Sequence, residues 1–201
     1  MFRPFKWLIF IFIFCQTISG QETDEHLYNR SITLVPLYLF QSGIRIDYEH
    51  KFKDRHWLQI CPQVFLNEDA GETLSDPYNE MVGIGIHVYH KIFLDKVNIN
   101  KHGLYFSYGG GYNYYHFNYS RETKVSNTTR IQAYTGRIII GFQQIFYKRI
   151  ILDLYTGLGH RYSIRNHSDD MIYTQNFKNG QWDYGFTGNQ LLLGLKFGFL
   201  F

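Results

Sequence analysis

Residues 191–201 alternate strictly between two kinds of side chain. Every second position carries a large apolar residue, and a repeat of two is the period of a β-strand. One face of this strand is therefore apolar along its whole length. In water such a face on a terminal strand promotes aggregation, whereas hydrocarbon stabilises it. The apolar face consists of Leu191, Leu193, Leu195, Phe197, Phe199 and Phe201, and the other face of Leu192, Gly194, Lys196, Gly198 and Leu200.

The same alternation recurs in six earlier segments. The contrast is sharpest at 43–52, where Ile44 and Ile46 alternate with Arg45 and Asp47. A less regular strand precedes them, in which Pro36 fits an edge or a bulge better than a central ladder. No segment has a convincing helical period. The sequence therefore predicts eight strands, at 31–40, 43–52, 57–66, 82–92, 104–115, 134–143, 152–164 and 191–201.

The connections between these strands alternate between short and long. Short ones are expected at about 53–56, 95–102 and 147–149, and long polar ones at about 67–80, 120–129 and 165–186. The connection near Gln41 and Ser42 is unexpectedly short for an outer loop. This order is typical of outer-membrane barrels, which have tight periplasmic turns and longer outer loops. We therefore expect an all-β, eight-stranded antiparallel up-and-down transmembrane β-barrel with both termini in the periplasm.

The distribution of side-chain volume decides between lipid and water outside this barrel. An eight-stranded interior is just wide enough for side chains to fill, so small residues belong inside. The glycines lie on the polar face, while the apolar face carries large residues almost throughout, as expected for an outer apolar band. A soluble lipocalin-like ligand-binding barrel, the structural alternative, would need the faces inverted. The polar-face glycines are Gly83, Gly85, Gly109, Gly111, Gly141, Gly157, Gly159, Gly194 and Gly198.

The amino terminus has the layout of a secretory signal peptide. Arg3 and Lys6 precede a short apolar run from Trp7 to Cys15, which is far below the roughly 20 residues of a membrane-spanning helix. We expect a signal peptide at 1–20, a short periplasmic segment at 21–30 and the barrel at 31–201. Removal of the leader would leave Cys61 as the only cysteine, so the mature chain would form no internal disulfide. A net charge of +3 is too small to indicate a nucleic-acid partner.

The alternation and the terminal aromatic series together resemble the small eight-stranded outer-membrane barrels of Gram-negative bacteria. This family is represented by the transmembrane domain of outer membrane protein A, and the sequence also resembles the compact barrels of Bacteroidota. The resemblance covers about 31–201. It implies a bacterial outer-membrane location, contact with outer-membrane lipid and lipopolysaccharide, and a monomer. It also implies that Leu195, Phe197, Phe199 and Phe201 form the signal read by the barrel-assembly machinery.

Charged residues of both signs lie on the polar face. Buried charges need partners, so we interpret them as an ion-paired network that fills the lumen and leaves no general pore. The expected network consists of Arg45, Asp47, Glu49, Lys51, Arg137, Asp153, Arg161 and Lys196, and His87 and Lys91 share its face.

An outer-leaflet enzyme that modifies lipid A, of the deacylase kind, is the alternative function. It would need a serine beside a histidine base. His160 with Ser163, and His167 with Ser168, are the candidates, but neither spacing puts both residues on one face of a strand. We therefore predict no catalytic residue, no cofactor and a non-enzymatic protein that serves envelope structure or surface binding through its loops.

Two loops could bind something outside the cell. The 67–80 segment is acidic and contains no basic residue, so it could hold a divalent cation, although an acidic loop is more often only solvated. No metal ligand is assigned. The 165–186 segment is rich in aromatic residues and is the better candidate for external recognition.

Overall fold

A computed structural model describes residues 28–67, 80–94, 103–120, 126–167 and 183–201 of the protein. The expected signal peptide, Ser168 and nearly all of the acidic segment lie outside the described residues. Within the described part of the chain, no helix is long and apolar enough to cross a membrane.

Eight strands form one closed antiparallel barrel. Each strand pairs with the next in the chain, and the first pairs with the last, so the predicted fold class and topology are confirmed. The strands are β1 (Arg30–Leu34), β2 (Gly43–Lys53), β3 (His56–Asn67), β4 (Glu80–Phe93), β5 (Gly103–Ser120), β6 (Ser126–Phe146), β7 (Ile150–His167) and β8 (Gly188–Leu200).

β1 is much shorter than the predicted strand at 31–40. It ends at Leu34, and a 3-10 helix follows at Pro36–Gln41. Proline has no N–H for a strand ladder, and its fixed φ suits the first position of a helix. The helix ends at Ser42, which has a φ of 51°. Pro36 therefore lies in neither the edge strand nor the bulge that the sequence favoured, and the predicted strand is wrong beyond Leu34.

This early end leaves a short seam between β1 and β8. Residues 31–34 of β1 pair with 197–200 of β8, whereas β7 pairs with β8 from Gly188 to Phe199. Beyond the seam, the 3-10 helix contacts both β2 and β8 and takes the place of the missing part of β1. The barrel wall is therefore not a continuous ladder at this position.

β5 and β6 are longer than predicted. They remain paired out to Ser120 and Ser126, so the predicted loop at 120–129 shrinks to 121–125. The outward residues of this extension include His116, Asn118 and Arg130, which are polar. The extension therefore lacks the apolar alternation from which the strands were predicted.

The two faces of the wall have opposite polarity. Side chains that point inward are mostly buried and many are charged, while those that point outward are mostly exposed and apolar. This is the distribution predicted from the sequence and the reverse of that in a soluble lipocalin-like barrel. The exposed outward residues include Ile44, Ile84, Ile138, Leu158, Leu193 and Phe199.

Candidate functional site

The lumen has two distinct ends. The turn end carries both ends of the described barrel, Arg30 and Leu200, and the tight β6–β7 turn at Tyr147 and Lys148. The loop end carries the 3-10 helix and the β3–β4, β5–β6 and β7–β8 connections. Charged residues lie between the two ends, and six of them form two groups.

Asp47 is the centre of the first group. Its two oxygens accept hydrogen bonds from Arg45, with Nε at 2.6 Å from Oδ1 and Nη2 at 3.1 Å from Oδ2. Nζ of Lys196 lies 2.9 Å from Oδ2, and Nε2 of Gln59 donates to the same oxygen at 2.7 Å. All four residues are buried. One carboxylate is thus surrounded by two cations and an amide.

Lys91 is the centre of the second group. Its ammonium nitrogen lies 2.9 Å from Asp153 Oδ2 and 3.3 Å from Glu49 Oε1, and it donates to Gln143 Oε1 at 2.7 Å. Tyr105 completes the group, since its hydroxyl donates to Asp153 Oδ1 at 2.7 Å and its ring centroid lies 3.8 Å from Lys91 Nζ. Side chains from β2, β4, β5, β6 and β7 therefore meet at one ammonium group.

Taken together, these two groups carry no net charge. The acids Asp47, Glu49 and Asp153 face the bases Arg45, Lys91 and Lys196, all of them buried. Such balance offsets the cost of taking charges out of water. Lys51, by contrast, is only half-buried near the β2–β3 turn. The structure therefore does not bring Lys51 into the balanced groups.

Large aromatic rings fill the lumen over the inward glycines. A Cβ built on Gly141 would overlap the ring of Tyr105, and one on Gly194 would overlap Tyr155. Gly83 has the same relation to Tyr115. The glycines thus provide the width that eight strands alone do not give.

Apolar residues close both ends of the lumen. Trp57, Phe93 and Leu200 are buried at the turn end. At the loop end Phe65 and Tyr115 pack together with ring centroids 5.1 Å apart, within a buried cluster that Tyr38 and Tyr184 also contact.

Tyr184 joins two connections across the loop end. Its hydroxyl donates to the carbonyl of Gln41 at 2.7 Å, and its ring lies 4.8 Å from that of Tyr115. Burial raises the pKa of Tyr184 to about 12, so the phenol stays protonated and keeps this bond at neutral pH. Tyr38, on the 3-10 helix, accepts a bond from Arg45 Nη1 at 3.1 Å. Tyr184 therefore ties the segment before β8 to the 3-10 helix, and Tyr38 ties that helix to β2.

Arg137 and Arg161 stand apart from the balanced groups. Arg137 donates through Nη1 to the hydroxyl of Tyr89 at 3.3 Å, and Arg161 to the carbonyl of Asp183 at 3.0 Å. Within the described part of the chain, neither forms an ion pair with a carboxylate. Both are buried, and their positive charge is not balanced by the residues around them.

Sequence reasoning missed several members of the lumen network. Tyr105, Gln59 and Gln143 bind the charged residues, and Tyr38 reaches them from the 3-10 helix. The first three share the inward face that alternation assigns to their strands, so that face was the available signal. Tyr38 could not be found in this way because its segment is helical.

His160 and Ser163, the candidate pair within the described residues, do not contact each other. His160 is exposed on the outer face, where its Nδ1 lies 2.9 Å from Asn189 Oδ1. Ser163 is on the inner face and donates to the carbonyl of Phe186 at 2.9 Å. The prediction that they lie on opposite faces is confirmed. His167 ends β7, and Ser168 lies outside the described residues.

The described residues contain no group of three or more potential metal ligands among His, Cys, Asp and Glu. The acidic segment proposed for a cation lies outside them, apart from its first and last residues, Asn67 and Glu80. Cys61 is a free, buried cysteine that points into the lumen.

Three residues of the expected assembly signal lie in the turn-end half of β8, and Phe201 directly follows that strand. Phe197, Phe199 and Phe201 are exposed on the outer face, and Leu195 is half-buried on the same face. The backbone N–H of Phe201 donates to the carbonyl of Arg30 at 3.0 Å.

Comparison with known proteins gives limited similarity. No protein-family profile matches the chain, and no curated protein matches it. Among solved structures, CarO of Acinetobacter baumannii is similar with a TM-score of 0.43 and 11% identity, covering 90% of this chain and 99% of CarO. CarO2 of the same organism has a TM-score of 0.41 and 12% identity, covering 87% of this chain and 97% of CarO2.

Proposed function

We propose that the protein is an integral β-barrel of a bacterial outer membrane, with a filled lumen and no enzymatic activity. The observation that carries this proposal is the inverted polarity of the wall, with buried charges inside and an exposed apolar surface outside. A bilayer requires both features, because a closed barrel satisfies its backbone internally and hydrocarbon favours apolar side chains.

The closed lumen argues against a general pore. Apolar clusters lie at both ends, and the charged groups between them bind one another rather than lining an open channel. We therefore assign the protein to envelope structure or to surface binding through its loops. Its partners would be outer-membrane lipid and lipopolysaccharide, with the barrel-assembly machinery acting during insertion of a monomer.

The membrane premise is tested by expressing the full chain in a Gram-negative host and separating the membranes on a sucrose gradient. The barrel should be recovered in the outer-membrane fraction and should migrate as a compact band when unboiled and as a slower band after boiling. A soluble periplasmic or secreted product with one mobility would overturn the proposal.

A further inference from the structure

The wall is interrupted beside the loop-end half of β8. β1 covers only 197–200 of that strand, and the 3-10 helix lies alongside the rest. On the outer surface here, Leu191 and Leu193 are 62% and 73% exposed. The interruption is therefore bordered by apolar side chains that face the proposed lipid.

A cavity of about 60 Å³ lies behind this interruption. Its lining combines Leu37 of the 3-10 helix and the outward residues Leu191 and Leu193 of β8 with the inward residues Arg137, Arg161 and Asn113. Residues of both faces of the wall border the same space, so the cavity lies at the interruption, between the lumen and the outer surface. A cavity volume of about 10–15 Å³ holds one water molecule, so this cavity has room for a small polar headgroup.

The two arginines make this cavity cationic. Each is 8% exposed, and in both the Nε atom is buried without a hydrogen-bond partner among the described residues. The other six buried charges of the lumen balance one another, so this positive charge has no counterion among the described residues. A buried cation without a counterion is costly, and arginine recognises carboxylates and phosphates through several donors at once.

We propose that this cavity is a lateral binding site for an anionic amphiphile from the surrounding leaflet. The carboxylate or phosphate headgroup binds Arg137 and Arg161, and the acyl chain leaves between β8 and the 3-10 helix over Leu191 and Leu193. The site rests on the proposed membrane location, because only a lipid-facing opening would admit the chain.

The test uses the full chain refolded in dodecyl maltoside micelles, which are uncharged. The probe is dodecanoate with a photoreactive diazirine near the end of its chain. The control probe is the matching dodecanol, which has the same chain and no charge. After irradiation, mass spectrometry maps the labelled peptides. Dodecanoate should label 188–196 or the Pro36–Gln41 helix at least about tenfold more strongly than dodecanol does.

Charge variants test the headgroup contact. Arg161→Gln and Arg137→Gln should each weaken dodecanoate labelling by roughly tenfold, because each removes a charge-assisted contact. Arg130→Gln, on the outer face of the same β6 strand, is the matched control and should leave labelling unchanged. Since Arg137 also binds Tyr89, compact unboiled mobility is required of every variant, and Arg161→Gln serves if Arg137→Gln does not fold.

A steric pair tests the outlet for the chain. Leu193→Trp adds bulk where the chain would leave and should reduce labelling, whereas Ile84→Trp, on the outer face of β4 across the barrel, should not. Labelling spread evenly around the barrel, equal labelling by dodecanol, or no effect of Arg161→Gln would overturn the inference. If millimolar inorganic phosphate alone abolished the labelling, the site would bind free anions, and the inference would also be overturned. If the chain does not fold in micelles, that result counts against the proposed membrane barrel instead of against this site.

Discussion

Lys91 on β4 and Asp153 on β7 form a buried ion pair across the lumen, with Nζ 2.9 Å from Oδ2. Neither side chain is exposed to solvent. These strands are three positions apart in the barrel, so the pair links parts of the wall that share no backbone hydrogen bonds. Glu49 on β2 also contacts the ammonium group, which makes Lys91 the cation between two acids.

Replacing Lys91 with methionine should destabilise the barrel strongly. The substitution removes the ammonium group that contacts two buried carboxylates, and breaking such a pair costs about 3–5 kcal/mol. Urea titration of the protein folded in micelles measures the loss. Lys53→Met, at the exposed end of β2, should change stability by less than about 0.5 kcal/mol. Equal stability of the two variants would show that the ion pair does not hold the wall together.

Gly141 should tolerate no side chain while Tyr105 occupies the space above it. Gly141→Ala places a methyl group against the Tyr105 ring and should cost about 1–3 kcal/mol. Gly136, on the same strand, faces outward with nothing within 4 Å of an added Cβ. Gly136→Ala is therefore the matched control and should be close to neutral by the same urea titration. A neutral Gly141→Ala would contradict the tight aromatic filling.

Alternation was sufficient to predict the barrel because each strand has one face in each of two very different environments. Arg45 and Ile46 fall on opposite faces whatever the neighbouring strand does. The face of a residue is thus a local property of the sequence. The eight strands and the polarity of the lumen follow from it, whereas the up-and-down order was predicted from the lengths of the connections.

The contacts inside the lumen depend on register, which alternation leaves open. Nothing local indicates that Tyr105 covers Gly141 or that Lys91 meets Asp153, since these residues are far apart in the chain. Balance of charge could be expected from the list of lumen residues, but not that Arg161 forms no ion pair with any carboxylate among the described residues. The short β1 was missed because apolar residues continue past Pro36 into the 3-10 helix.

An arginine at the outer middle of β7 should prevent stable insertion into a bilayer. Leu158 is 66% exposed on that face. In lipid, Leu158→Arg should cost about 2–4 kcal/mol, whereas on a water-exposed surface it would be nearly neutral. Tyr147→Arg, in the exposed β6–β7 turn, is the control. Unfolding in phosphatidylcholine vesicles gives the comparison, and equal stability of both variants would contradict a lipid-facing wall.

The folded protein should give no resolved conductance steps in a planar bilayer. Trp57 and Phe93 close the turn end, and Phe65 and Tyr115 are buried at the loop end. An eight-stranded interior filled in this way has no continuous aqueous path. Conductance is measured after insertion, with compact unboiled mobility as the control for folding. Regular single-channel openings by the wild-type protein would contradict the filled lumen.

Phe201 should matter for assembly in cells more than for the stability of the finished barrel. Its side chain is 54% exposed on the outer face, so its removal disturbs no buried packing. If the terminal series is the assembly signal that the resemblance implies, Phe201→Ala should reduce heat-modifiable protein in the outer membrane several-fold. The same variant should refold in micelles as the wild type does, because no assembly machinery is needed there. Phe40→Ala, which removes an 84% exposed ring from the 3-10 helix, should leave both measurements unchanged. Equal loss in cells and in micelles would assign Phe201 to barrel stability, and normal insertion in cells would remove it from the signal.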